Sequence, residues 1–69
     1  MGLYSPGCVV VDRKRPDRIG IVQSAKLPKC SWILVHWVHG KYQGTNVVLR
    51  STIRPGKEAD KLKIEVHLL

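Results

Sequence analysis

Ser31-Trp32-Ile33-Leu34-Val35-His36-Trp37-Val38 is the longest apolar run in the chain and holds both of its tryptophans. Its β-branched and aromatic content fits a pleated strand, and Pro28 before it and Gly40 after it set its limits. Alternation divides this strand. Ile33, Val35 and Trp37 share one face, wholly apolar, which is the expected core face, while Trp32, Leu34, His36 and Val38 share the other. The second face is too apolar to stand free, so it is expected to be covered by Leu62 to Leu68, by another subunit or by a ligand.

Working outward, Ser5-Pro6-Gly7 reads as a turn, and Cys8-Val9-Val10-Val11 as a first strand ending at Asp12. Arg13-Lys14-Arg15-Pro16-Asp17-Arg18 then forms an exposed basic loop, since its charges resist burial and Pro16 is barred from a central ladder. Ile19 to Ser24 is the second strand, with Gly20 marking a bulge or sharp bend. Ala25 to Cys30 connects it to the central strand. His39 to Gly44 reads as a hairpin loop that needs positive φ, Thr45 to Leu49 as strand four, and Pro55-Gly56 as a turn with room for a single helical turn before it. Leu62-Lys63-Ile64-Glu65-Val66-His67-Leu68 alternates with period two and is expected to be the closing strand; a short helix from Glu58 running into Leu69 is the alternative.

Sixty-nine residues with 43% hydrophobic content define one small folded domain, residues 1–69, without repeat or linker. No run reaches the roughly 18 apolar residues of a membrane span, and Met1 to Tyr4 does not read as a signal start. An intracellular, unexported protein with no membrane partner and with Cys8 and Cys30 reduced is the expectation. The two cysteines lack a CxxC spacing, and His36, His39 and His67 pair with no nucleophile or carboxylate couple. Neither a metal, a cofactor nor an enzymatic role is therefore expected.

Charge is more informative. The net charge is +7, and up to Lys57 the basic residues Arg13, Lys14, Arg15, Arg18, Lys26, Lys29, Lys41, Arg50, Arg54 and Lys57 stand against only Asp12 and Asp17. A field of this sign attracts polyanions, either nucleic acid or an acidic protein surface.

Five short strands joined by Gly, Pro and charge suggest a small barrel. Pro6-Gly7-Cys8-Val9-Val10, Gly20-Ile21-Val22, Val35-His36-Trp37 and Val47-Val48-Leu49 running into Ile53-Arg54 occur in an order that resembles the SH3-like small barrels of the Tudor, KOW and integrase C-terminal type. The resemblance covers Pro6 to Arg54. It implies an all-β, five-stranded barrel, an architecture that serves nucleic-acid binders, methyl-lysine readers and peptide binders alike. Only four aromatic residues are present, too few for a methyl-lysine cage once Trp37 is in the core.

The expected function is binding of nucleic acid, DNA before RNA, mainly through phosphates. Arg13, Lys14, Arg15 and Arg18 are the expected phosphate contacts, Lys26, Lys29, Arg50 and Arg54 extend the basic track, and Trp32 or Tyr42 supplies stacking. The alternative is a protein-interaction adaptor, or a virus-encoded modulator, docking on an acidic host or partner protein. Either a monomer or a homodimer is compatible with this reading.

Overall fold

The computed structural model describes residues 4–25 and 31–68, with side chains as far as residue 64. Trp32–His39 is the central strand β3, as its composition requires, flanked by β2 (Ile19–Ser24) and β4 (Gly44–Leu49). Strand β1 (Val9–Asp12) pairs with β2 on one side and with the short β5 (Ile53–Pro55) on the other. All neighbours are antiparallel, in the order β4-β3-β2-β1-β5. The protein is thus mostly β, and among the described residues the sheet is not closed, leaving β4 and β5 as its edges.

A 3₁₀ turn, Arg50–Thr52, connects these two edges directly and supplies the helical turn expected before Pro55. Four peptide steps reach at most ~15 Å, whereas the outer strands of a flat five-stranded sheet lie about 19 Å apart. The sheet must curl to bring β5 within reach of β4. Gly20 permits part of that curl. A Cβ there would lie 2.7 Å from Val35 Cγ1, 2.8 Å from the His36 carbonyl oxygen and 2.9 Å from Trp37 Cε3. The β2–β3 register slips between Ile19 and Gly20, at the bend its sequence predicts. The hairpin that follows β3 has the expected positive φ at Gly40, +108°.

Alternation along β3 sorts the apolar side chains as its sequence requires. Ile33, Val35 and Trp37 are buried with Val10, Val22, Ile53 and Tyr4 in the main core. On the other face, Val38 packs with Val11, Ile19 and Ile64 in a second cluster.

Ile64 belongs to an α-helix, α1 (Glu58–Leu68), and this corrects the expected closing strand Leu62 to Leu68. The helix wins because its first turn is capped and charged to suit it. The Asp60 carboxylate accepts the Lys57 N–H at 2.8 Å, the Lys57 carbonyl accepts from Lys61 N–H at 3.1 Å, and Glu58 and Asp60 place negative charge at the N-terminus. Arg54 clasps Asp60 at 3.5 Å and fastens the cap to β5. Fifth place in the sheet passes to Ile53–Pro55, and the "all-β" expectation becomes a β sheet with one helix laid across part of its second face.

Candidate functional site

The β1–β2 loop and the β3–β4 loop meet at one end of the sheet because β1 and β3 both border β2 antiparallel. The first loop is held by its own hydrogen bonds. Asp12 Oδ1 accepts the Lys14 N–H at 2.8 Å, the Arg15 carbonyl accepts the Arg18 N–H at 2.8 Å, and the Arg18 carbonyl accepts the Asp12 N–H at 3.1 Å.

Arg18 then locks the two loops together. Its Nε donates to the Tyr42 carbonyl at 2.9 Å, a terminal nitrogen pairs with Asp12 Oδ2 at 3.3 Å, and the guanidinium lies 4.2 Å from the centroid of the Trp37 ring. With its side chain only 16% exposed, Arg18 is a clamp over the core rather than an open phosphate ligand. His39 Nδ1 adds a second tie, 2.8 Å from the Asp17 carbonyl oxygen.

The clamp presents Tyr42. Its ring is 49% exposed, with the Arg15 guanidinium 4.8 Å from the centroid and Lys41 Nζ 5.7 Å away. Lys14 is exposed on the same loop as Arg15. Arg13 is exposed as well but tethered, its Nε donating to the Ile53 carbonyl at 3.0 Å and its N–H to the Thr52 carbonyl at 3.0 Å. The result is an exposed aromatic ring with cations close by, able to bind phosphate oxygens and to offer π-surface in one place.

Of the other sequence candidates, Arg50 sits elsewhere. Its N–H donates to the Ser31 carbonyl at 2.7 Å and its guanidinium lies 5.7 Å from the Tyr4 ring. Ser31 adjoins the start of β3, about 20 Å along the strand from the Tyr42 loop. Arg54 is engaged by Asp60 and by the Pro55 carbonyl at 3.2 Å. Trp32 is half-buried on the second face, with Leu34 beside it. Lys26 and Lys29 lie outside the described residues, as does Cys30.

Lys41 is the member that sequence reasoning missed. Its signal was its position next to Tyr42 in a hairpin loop, where both side chains stay near one another whatever the exact turn. Among the described residues no three of His, Cys, Asp or Glu gather as metal ligands, and no helix is long and apolar enough to cross a membrane. A separate depression of about 690 Å³ lies between β1, β5 and α1, lined among others by Cys8, Val9, Pro55, Lys61 and Ile64. No family model, curated protein or solved structure matches the chain.

Proposed function

We propose that this protein is a small SH3-like barrel module that binds nucleic acid, DNA in the first place, through its phosphates. The architecture part of the reading is supported by the curl that the three-residue link between the edge strands imposes. The observation that carries the function is the exposed Tyr42 ring with Arg15 and Lys41 at 4.8 and 5.7 Å from its centroid, and with Lys14 and Arg13 on the loop of Arg15, in a chain of net charge +7.

Phosphates are neutralised by Lys14, Arg15 and Lys41, and each contact releases condensed counterions, so affinity depends on salt. A base that leaves the stack meets the Tyr42 face. Arg18 and Asp12 serve the site by fixing the loop that carries it. An NMR titration with short duplex DNA, single-stranded DNA and RNA tests the reading. Shifts gathered on residues 13–18 and 40–43, and lost in high salt, are expected; no shift with any of the three nucleic acids refutes it.

A further inference from the structure

The two edges of the sheet are finished differently. β5 is three residues long, ends in Pro55, carries Arg54, and its Ile53 carbonyl already accepts from Arg13 Nε and from the Tyr4 hydroxyl at 3.4 Å. Such an edge resists pairing. β4 is six residues long and contains neither a charge nor a proline in Gly44-Thr45-Asn46-Val47-Val48-Leu49. It lies between Lys41 and Arg50, yet is itself neutral.

Its polar groups are arranged for a partner. The Arg50 N–H donates inward to Ser31, and along an antiparallel strand successive residues turn their polar groups to opposite sides. Asn46 and Val48 therefore face β3, while Thr45, Val47 and Leu49 turn N–H and C=O to the open side. The side chains of that same trio lie on the face that also carries Trp32 and Leu34, with Val47 50% exposed and Leu49 40% exposed. Open main-chain groups and uncovered apolar side chains coincide on one strand.

We infer that β4 pairs antiparallel with β4 of a second copy of this chain, about a two-fold axis at Val47. In that register Val47 faces Val47, and each exchanges both main-chain hydrogen bonds with the other. Leu49 N–H meets the Thr45 carbonyl of the second copy, and the Leu49 carbonyl, which already accepts the Thr52 hydroxyl at 2.7 Å, takes the second copy's Thr45 N–H on its other lone pair. The isologous pairing brings the Val47 and Leu49 side chains of both copies into one apolar strip.

A second copy is the occupant that the strand's own symmetry fits, since its outward-turned residues Thr45, Val47 and Leu49 are spaced evenly about Val47. At net charge +7 the neutral stretch of β4 lets a like molecule approach without burying a cation. The same register sets Arg50 of the second copy opposite Gly44, beside the loop that holds Lys41 and Tyr42. Two basic regions that a single chain keeps apart would join into one track. This last consequence rests on the nucleic-acid reading; the pairing itself does not.

Sedimentation equilibrium of the nuclease-treated protein over a range of concentrations tests the inference. A reversible dimer is expected that tightens with salt, because added ions screen the repulsion between two +7 chains. Val47→Lys and Val47→Glu each place like charges across the axis and should weaken association ~10-fold or more. Mixed together they should recover it as a heterodimer. Val47 is half exposed, so both variants should keep the wild-type circular dichroism, which is recorded alongside.

A wild-type monomer at every concentration overturns the inference. So does dimerisation by the variants equal to that of wild type, or a mixture no tighter than either variant alone. A monomer whose β4 amides shift only when nucleic acid or a foreign peptide is added assigns the edge to that ligand and overturns self-pairing. A dimer that binds no nucleic acid upholds the pairing and refutes the proposed function.

Discussion

Arg18 and Arg15 stand three residues apart in one basic loop and do different things. Arg18 makes a charge-assisted bond to Asp12, a bond to the Tyr42 carbonyl and a stack on Trp37, all with little exposure. Arg18→Ala should therefore destabilise the fold by about 2 to 3 kcal/mol, read as a lower urea midpoint at unchanged slope. Lys14→Ala should move that midpoint by less than ~0.5 kcal/mol, because its exposed side chain supports no packing. Equal midpoints for the two variants contradict the clamp. Tyr42→Ala, by contrast, should leave stability nearly unchanged and reduce affinity for single-stranded DNA by ~1 to 3 kcal/mol, measured by fluorescence anisotropy. The sequence shows that Arg13 to Arg18 is basic and that Tyr42 is exposed in a loop. It does not show which arginine is consumed internally, since that depends on contacts with Tyr42 across 24 positions and on the Trp37 ring beneath.

Elements whose periodicity has one cause are readable; those with two competing causes are not. β3 is readable because Ile33, Val35 and Trp37 alternate against one core, and the burial of all three follows. Leu62 to Leu68 is different, because apolar residues at every second position suit a strand while the turn before them suits a helix. The local cap decides: Asp60 closes on the Lys57 N–H, and Ile64, four positions on, falls on the same buried face. Leu62, two positions before Ile64, is 58% exposed, as a helix requires and a strand forbids. The pair supplies a test. Ile64→Ala should cost about 2 to 4 kcal/mol, while Leu62→Lys should cost less than ~0.5 kcal/mol. A strand would make both substitutions costly. Asp60→Ala removes the cap and the partner of Arg54 together and should lower stability by about 1 to 2 kcal/mol, read in thermal melts.

For the whole molecule, the sign of its charge and the strand order of its sheet act together. The antiparallel order of β1, β2 and β3 puts the β1–β2 and β3–β4 loops at one end, where Arg13, Lys14, Arg15, Arg18 and Lys41 outnumber Asp17 and the Asp12 that Arg18 holds. Polyanion binding should then be governed by counterion release, with log affinity falling linearly in log salt. If Lys14, Arg15, Lys41 and a partly tethered Arg13 each meet a phosphate, the slope on duplex DNA is about −3.6, and affinity falls ~100-fold between 50 and 200 mM salt. Replacing Lys14, Arg15 and Lys41 with Ala should flatten the slope by up to ~3 and weaken binding to unrelated sequences alike. Replacing Arg54 should leave the slope unchanged, because its guanidinium is held by Asp60 and the Pro55 carbonyl. Fluorescence anisotropy on two duplexes of unrelated sequence, at four salt concentrations, measures both quantities. An unchanged slope in the triple variant would move the interface away from Tyr42, and a sequence-dependent loss would show that bases rather than phosphates are read.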